Sequence, residues 1–503
     1  MKKVVLILMI LSLIIVPVNV IAAPPEFSGG VNNEYEYEEV VFISGEPIKF
    51  VGTVTMPENS IMPEEDGKSK TIKYNLRNLV PEDKSIKGKL NRSVTYVIDY
   101  DARSDKGQTI AQMSVKSYSE SIEIDGVKFE LKDYQFSKSD VIDNRPAADF
   151  YTGNITGRKV YTVNRDEGEV IVDITGGSVG YENFWGATET QIIDHVIRSQ
   201  SETSDENGDA QRDNWQGTVR SQVSDSMTKE LMYSENDANL SSFNGGYIRT
   251  TNSEVVSRYE YDLPYFNRDG ESTSRRDRDS ISLSKELVPK IERLIVPKFR
   301  DLGGHWAESH INKLYSLDVF DEVSTFFVPD VPMTREEFTR AVMRASDIRI
   351  AEEPKKRTSS RNKTPEVSIF ADISVEDANY QYIKNGVAKG IIQGVSENRF
   401  APKDSLTRAQ AITVIIRALG FESKAPTPGY STSFADDRLI PAWAKDSIYM
   451  AKEIGLVQGD QSNRVNPNTV LTRAEASALL VRFLEFLEGD LQRDYRENII
   501  LFN

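Results

Sequence analysis

Three arginines in the C-terminal third of the chain occupy the same place in a repeated pattern. Arg335, Arg408 and Arg473 each follow a threonine, and a proline stands five residues before each threonine. Thr472 and Glu475 have the spacing of a capping box, which predicts a helix that begins there. The arginine between them is needed for neither the cap nor an apolar face. A guanidinium beside a helix N-terminus, where backbone amides are available, suits a carboxylate ligand.

The pattern around these arginines defines three repeated units. Each unit opens with phenylalanine, a variable residue and aspartate, the aspartates being Asp301, Asp372 and Asp436. From about residue 289 onward, Ala, Leu and Ile recur at three- and four-residue steps, which predicts amphipathic helices. Stretches rich in Pro, Ser and charged residues separate the units. The sequence therefore predicts a helical repeat region.

The preceding part of the chain has a different period. Apolar and polar residues alternate from about 30 to 260, which predicts half-buried antiparallel strands. Asp125-Gly126 between two such runs predicts a hairpin with a type I′ turn. A second hairpin is expected between 160–163 and 169–172. We interpret the polar stretches 201–213 and 270–280 as loops, and expect a sandwich or a long twisted sheet.

Composition excludes several classes of function. The 503 residues include 61 Lys and Arg against 77 Asp and Glu, a net charge of −16, which disfavours binding to nucleic acid. The chain has no cysteine and three histidines, so disulfides, thiolate zinc sites and cysteine nucleophiles are excluded. We therefore expect no cofactor and no metal site. The acidic run 205–209 has its glycine in the wrong place for an EF-hand loop.

The first residues indicate export. Lys2 and Lys3 precede an apolar stretch over 4–16, and small residues stand before Pro24, which is the pattern of a signal peptide over 1–23. Pro17 and Asn19 interrupt the apolar stretch, so it falls short of a membrane span. We expect a secreted protein without a membrane span after cleavage.

The repeated units resemble the S-layer homology (SLH) family. The shared motifs are an F-x-D start, a G-H-W-A segment at 304–307, a G-[IL]-[IV]-x-G turn and the T-R-A-E helix start, and they cover 299–487. The resemblance implies a helical bundle with three prongs. It also implies a cell-wall location in Gram-positive bacteria, and binding of a secondary cell-wall polysaccharide that often carries a pyruvate ketal.

The motifs carry over residue by residue. The resemblance implies glycan contacts from Asp436, Trp443, Gly455, Gly459, Arg473 and Glu475 in the third unit, from Asp372, Gly390, Gly394 and Arg408 in the second, and from Asp301, Trp306 and Arg335 in the first. The second unit departs from the motif, with Ala378 in place of the tryptophan and Gln410 in place of the glutamate. In the first unit, Asp318 and Glu322 replace the two glycines, and their charge would repel a carboxylate.

Structural explanations exist for the same residues. The arginines could form salt bridges with the aspartates, and the aspartates could cap helices. Glycines could serve close packing, and Trp306 and Trp443 could fill helical interfaces instead of stacking on sugar. Thr472 and Glu475 have the pattern of a structural cap.

The β-rich region offers little that indicates catalysis. His195 is its only histidine, and no G-x-S-x-G motif accompanies it. A glycosidase needs two carboxylates, but the sequence does not nominate a pair. Tyr181, Phe184 and Trp185 could stack on a carbohydrate or form an aromatic core.

These observations lead to one hypothesis and two rivals. We expect a wall-anchored protein that displays a β-rich structural or interaction module and is not an enzyme. The rivals are a wall-anchored polysaccharide hydrolase and a self-associating S-layer lattice subunit. The expected organisation is a signal peptide (1–23), a β-rich region (24–288), a linker (289–298), unit 1 (299–346), a linker (347–368), unit 2 (369–420), a linker (421–432), unit 3 (433–487) and a tail (488–503).

Overall fold

A computed structural model describes most of the chain. The described residues are 27–53, 61–63, 69–103, 106–204, 210–234, 246–267, 271–321, 324–346 and 366–498. The expected signal peptide, the acidic run 205–209, Glu322 and most of the linker 347–368 lie outside these ranges.

An antiparallel sheet contains most of the described residues up to Ile295. The strands are β1 (Val31–Asn32), β2 (Glu36–Val41), β3 (Ile48–Thr53), β4 (Ile61–Pro63), β5 (Ser69–Pro81), β6 (Gly88–Arg103), β7 (Gln108–Ile124), β8 (Val127–Asn144), β9 (Ala148–Val163), β10 (Gly168–Asn183), β11 (Gly186–Ser204), β12 (Ala210–Ser234), β13 (Gly246–Phe266), β14 (Ser272–Glu286) and β15 (Lys290–Ile295). In the described part of the chain they follow one another across a single sheet, with β4 beside β5 and β15 beside β13. The fold class predicted for this region is confirmed, in the form of one long sheet.

Both predicted hairpins are present. Ile124 pairs with Val127, and the two turn residues Asp125 and Gly126 have φ angles of 46° and 88°, as a type I′ turn requires. Val163 pairs with Gly168 across the second turn. Local turn chemistry therefore determines these two registers.

Three sequence predictions were wrong. Most of the expected loop 270–280 belongs to β14, and most of the expected linker 289–298 is β15. Both strands pair with β13 at the edge of the sheet, where charged side chains remain in water and the apolar alternation is weak. The described ends of the expected loop 201–213 are also strand, since residues 201–204 belong to β11 and residues 210–213 to β12. The helix Arg473–Asn498 continues into the expected tail 488–503.

The sheet curls so that one face packs on itself. Two apolar layers inside it are separated by buried charges, of which Arg92 contacts Glu39 and Glu120 at 2.7 Å each. Lys159 contacts Glu120 at 3.1 Å. Burial alone would raise the pKa of Glu120, but Arg92 and Lys159 outweigh it and lower that pKa to about 2. Pairing of this kind is what makes a buried charge tolerable.

Six α-helices form the C-terminal region of the described chain. They are α1 (Glu308–Ser316), α2 (Arg335–Ala345), α3 (Tyr380–Ala388), α4 (Arg408–Ala418), α5 (Lys445–Glu453) and α6 (Arg473–Asn498). The first helix of each unit packs on the second helix of another unit, which pairs α1 with α6, α3 with α2 and α5 with α4. Among the helices of the described residues, none has the length and apolar character of a membrane span.

A closed ring of backbone hydrogen bonds joins the three units. The Met333 amide donates to the Leu471 carbonyl at 3.0 Å, Leu471 donates to Leu406 at 2.9 Å, and Leu406 donates back to Met333 at 2.8 Å. Each residue stands two positions before an arginine of the repeat. The ring therefore relates the three units by an approximate threefold axis, and each unit depends on both others.

The long helix α6 joins the bundle to the sheet. Trp185 donates its indole N–H to the Leu484 carbonyl, and the Asn183 amide donates to the Leu487 carbonyl, both at 2.7 Å. Phe184, Trp185 and Tyr181 are buried in the same apolar core as the helices. These aromatic residues form a structural contact between the two regions, which leaves no ring face for a carbohydrate.

Candidate functional site

The three aspartates of the F-x-D motifs have one structural role. Asp301 accepts hydrogen bonds from the amides of Phe327 and Val328, Asp372 from those of Phe400 and Ala401, and Asp436 from those of Val465 and Asn466, over distances of 2.6 to 3.0 Å. Burial alone would raise the pKa values of Asp301 and Asp372, but these amides outweigh it and lower them. Both carboxylate oxygens of each aspartate are therefore used to hold a loop of its own unit.

The first glycine of each turn motif ends a helix. Gly390 follows α3 and Gly455 follows α5, with φ angles of 70° and 74°, and a Cβ atom at either position would meet nothing within 4 Å. Asp318 takes the same place after α1 with a φ of 56°. The glycines are thus explained by the left-handed backbone at a helix C-terminus.

The second glycine of the motif permits a tight loop. A Cβ atom on Gly394 would lie 2.5 Å from the Ser396 carbonyl oxygen, and one on Gly459 would lie 2.8 Å from the backbone of Asn463. Any side chain would displace backbone there. These glycines let a loop fold onto itself, and Gly394 also lines a groove described below.

The capping box predicted at Thr472 is present, and the other two units have one as well. Thr472 and Glu475 exchange hydrogen bonds at 2.9 and 3.2 Å, and Thr334 with Glu337 and Thr407 with Gln410 do the same. Glutamine at 410 completes the cap as well as glutamate does. The cap accounts for Glu475 structurally, as its pattern in the sequence indicated.

Arg335 lies in a groove to which all three units contribute, and the threefold relation gives Arg408 and Arg473 equivalent positions, called here the Arg408 and Arg473 grooves. The Arg335 groove is a cavity of about 320 Å³ between the start of α2, the loop 391–400 and one face of α4. Trp443 of the third unit lines it, together with Gln410 and Arg417. Arg335 donates to the carbonyls of residues 400 and 393 at 3.0 and 3.1 Å.

The Arg408 groove occupies the next position around the threefold axis. Its arginine has a buried Nε without a hydrogen-bond partner among the described residues. Burial lowers the pKa of Arg408, and the positive charge of Arg482 lowers it further. The carboxylates of Glu475 and Asp460 oppose this effect, so these three groups lie near Arg408. The threefold relation places Trp306 at the wall that Trp443 forms in the Arg335 groove.

The Arg473 groove differs because acidic residues occupy it. Arg473 forms an ion pair of 2.8 Å with Glu337 and lies 4.5 Å above the ring of Phe327. Asp321 takes the place of Gln393 and binds Arg344 at 2.8 Å. Ala378 stands where the other grooves have a tryptophan. This groove therefore has its positive charges compensated and no aromatic wall.

The two tryptophans of the motif are not core residues. Trp306 is 58% exposed and Trp443 is 51% exposed. An exposed aromatic face beside a guanidinium is suited to a sugar ring, because C–H groups pack on the ring while charged groups bind the substituents. The interpretation of these residues as interface fillers does not fit the structure.

Each groove combines residues of different units, so the unit with the most complete motif does not have the groove best suited to an acidic ligand. Judged unit by unit, the third unit has the most complete motif, yet its Arg473 faces the acidic first unit. A further arginine nine residues after each of the three also went unnoticed in the sequence. These are Arg344, Arg417 and Arg482, and their shared spacing was the available signal.

Among the described residues of the β-rich region, no catalytic triad forms around His195. Asp194 precedes His195 in β11, so its side chain lies on the opposite face of the strand from His195. There it binds Arg220 at 2.8 Å. Burial lowers the pKa of His195 to about 4, with Lys159 contributing, so the ring is neutral at pH 7.

A carboxyl pair of β11 and β12 lies inside the sheet. Glu189 and Asp225 are cross-strand partners, and both are buried. Glu189 binds Lys138 at 3.0 Å, and burial together with Glu189 raises the pKa of Asp225 well above its usual value. A pair enclosed in this way offers no surface to a polymer chain.

Comparison with known proteins agrees with this geometry. The family model described as S-layer homology domain matches residues 298–339, 369–412 and 433–477. An exoglucanase, XynX, of Acetivibrio thermocellus is 30% identical over 189 residues, which is 37% of this chain and 16% of that enzyme. The Surface-layer 125 kDa protein of Lysinibacillus sphaericus is 31% identical over 123 residues, 24% of this chain and 10% of that protein.

The relatives are of several kinds and are all much longer than the matched region. An amylopullulanase of Thermoanaerobacterium thermosulfurigenes is 30% identical over 190 residues, which is 37% of this chain and 9% of the enzyme. The chain thus spans less than a fifth of the length of these relatives. What surface-layer proteins and glycan hydrolases share is the wall-anchoring domain. This chain is accordingly a cell-wall or cell-surface protein whose C-terminal part carries three S-layer homology domains.

Proposed function

We propose that this protein anchors itself to the cell wall by holding an acidic secondary cell-wall polysaccharide, without a covalent bond, in its Arg335 and Arg408 grooves. S-layer homology domains generally bind cell-wall polysaccharide. The observation that carries the proposal is the Arg335 cavity of about 320 Å³, which has a guanidinium on one wall and a half-exposed tryptophan on the other.

The mechanism follows from the groups in each groove. The guanidinium of Arg335 or Arg408 binds the acidic group of the glycan, and a pyruvate ketal supplies such a group. Trp443 or Trp306 stacks on the sugar ring, and Arg417 or Arg482 lies on the facing helix. The Arg473 groove contributes little, because Glu337 and Asp321 already compensate its arginines.

Two parts of the predicted function belong to this proposal. The β-rich region is displayed as a structural or interaction module, since its interior is filled by its own side chains.

Self-association at the surface is expected to show as sheets of purified protein in electron microscopy. A solution that stays monomeric at high concentration would contradict the lattice interpretation.

Co-sedimentation with purified cell walls tests the anchor. The full chain is expected to bind walls and to lose binding when the secondary polysaccharide is chemically removed. Arg335→Ala with Arg408→Ala should weaken binding by roughly tenfold to a hundredfold for each lost charge-assisted contact. Arg220→Ala, on the distant sheet surface, is the matched control.

The result of the Arg473 variant distinguishes the grooves. Arg473→Ala should change wall binding far less than either of the other two variants. If a folded Arg335→Ala, Arg408→Ala double variant bound walls as the wild type does, the arginine mechanism would be wrong. Binding that survives removal of the polysaccharide would instead indicate peptidoglycan as the ligand.

A further inference from the structure

The segment over residues 27–31 lies inside the curled sheet instead of on its surface. Phe27 is 2% exposed and Val31 is 0% exposed. The segment contributes only the two-residue strand β1 to the sheet, through the pairs Val31 with Glu38 and Asn32 with Tyr37. Its other contacts are ring contacts, hydrogen bonds and close packing against the strands around it, as a bound peptide would make.

The aromatic end of the segment occupies a site made by distant strands. The ring of Phe27 stacks on Phe136 of β8 at 4.5 Å and meets the edge of Tyr96 of β6 at 5.7 Å. The backbone of Phe27 lies within hydrogen-bonding reach of His195 on β11. A buried phenylalanine contact of this type is among the stronger single contributions to a fold or a complex.

The polar middle of the segment joins the buried charge layer. The Ser28 hydroxyl donates to Glu39 at 2.9 Å, and Arg92 donates to the same hydroxyl at 3.3 Å. Tyr259 of β13 donates to the Ser28 carbonyl at 3.2 Å. Serine therefore supplies both a side-chain and a main-chain partner to groups that the sheet has buried.

The two glycines of the segment are required by the walls of the slot. A Cβ atom on Gly29 would lie 2.7 Å from the ring of Tyr259, and one on Gly30 would lie 2.0 Å from the hydroxyl of Tyr37. Phe27 and Gly29 have φ angles of 57° and 82°, and a positive φ is unusual for a bulky residue. Surrounding contacts hold the backbone in this form.

The connection to the rest of the chain is short and exposed. Asn33 accepts hydrogen bonds from the amides of Tyr35 and Glu36 in a tight turn, and Tyr35 is 72% exposed. Glu34 in this turn accepts a hydrogen bond from the Val288 amide at 2.8 Å, and Val288 is exposed. The segment and the slot thus meet through side chains and close backbone packing, which do not depend on the covalent connection.

We propose that the interior of the curled sheet is a peptide-binding slot, that residues 27–31 are its built-in ligand, and that the slot accepts a separate peptide with an aromatic residue followed by Ser-Gly-Gly and a β-branched residue. The partner that fits is an extended chain segment, and a second copy of this protein carries one. Recognition consists of the aromatic site, the Glu39–Arg92 pair and the two tyrosines that exclude larger residues at the glycine positions.

The test uses the full chain with Gly30→Val, which displaces the segment by contact with Tyr37. Gly303→Val is the matched control, because a Cβ there meets nothing within 4 Å. The probe is a fluorescent synthetic peptide with the sequence of residues 27–33, and binding is followed by fluorescence anisotropy. The Gly30→Val protein should bind the peptide, whereas the wild type and the control, whose slots are filled, should not.

Two peptide variants and a second protein keep the outcome decisive. Peptides with alanine for Phe27 or valine for Gly30 should bind the vacated slot more than a hundredfold more weakly. If Gly30→Val does not fold, Phe27→Ala replaces it, and an excess of the wild-type peptide should raise its Tm. A folded Gly30→Val protein that does not bind the peptide, or a Phe27→Ala protein whose Tm the peptide leaves unchanged, would overturn the proposal.

Discussion

The residue that follows the first helix differs between the first unit and the other two, although its backbone conformation is the same. Asp318 adopts a φ of 56° at the end of α1, where Gly390 and Gly455 stand in the other units. An L-residue in this conformation costs about 1 kcal/mol relative to glycine, and aspartate tolerates it better than most. The first unit therefore keeps the left-handed helix end of the other two units, although it has aspartate in place of glycine.

Asp318→Gly is expected to raise the free energy of unfolding by roughly 0.5 to 1 kcal/mol, because glycine removes the strain. Chemical denaturation measures this. Gly390→Ala and Gly455→Ala are the converse controls and should lose a similar amount, since each added Cβ meets open space and only the φ angle is penalised. An unchanged stability in all three variants would show that the helix ends relax.

His195 makes the stability of the sheet depend on pH. Its folded pKa of about 4 lies below the ordinary value near 6.5, so the unfolded chain binds a proton first as the pH falls. The free energy of unfolding should therefore drop between about pH 6.5 and pH 4, by up to about 3 kcal/mol. Denaturation of the wild type and of His195→Gln across this range checks the sign, and the variant should show a shallower slope.

At the scale of elements, the sequence identified local structure well and the assembly poorly. The turn at Asp125 and the capping box at Thr472 depend on neighbours a few residues away, so their types are sufficient. The composition of the Arg335 groove depends on Trp443, which is more than one hundred residues distant in the chain. The polar strand β14 was missed because pairing with β13, not its own pattern, makes it a strand.

The contact between α6 and the sheet should depend on one indole. Trp185→Phe keeps the apolar contact but leaves the Leu484 carbonyl without the indole N–H, so we expect a loss of about 1 to 3 kcal/mol in the free energy of unfolding. Thermal or chemical denaturation measures it. Trp306→Phe, at an exposed position, should leave stability unchanged while it weakens wall binding, and the opposite pattern would contradict both assignments.

At the scale of the whole molecule, the three units form one cooperative structure. The ring through Met333, Leu406 and Leu471 gives each unit a hydrogen bond from one neighbour and to the other. The helix pairs also cross between units, so no unit has a complete core of its own. The grooves around the three arginines exist only once the ring has closed.

Removal of the third unit is therefore expected to abolish the folded state of the first two. A fragment over 299–420 should lack a cooperative unfolding transition by circular dichroism, whereas a fragment over 299–498 should retain one. A sharp transition in the shorter fragment would show that the units fold independently. The same pair of fragments should differ in wall binding, because Trp443 belongs to the missing unit.

The length of α6 has a mechanical consequence. Its 26 residues extend about 39 Å, from the Arg473 loop contact on the threefold axis to the outer face of the sheet. Under the proposed anchoring, a shear force on the sheet, such as fluid flow across the cell exerts, would reach the bound polysaccharide through this helix and the packed indole of Trp185. The orientation of the sheet above the wall would then be set by side-chain packing, and the anchor would carry torque as well as tension.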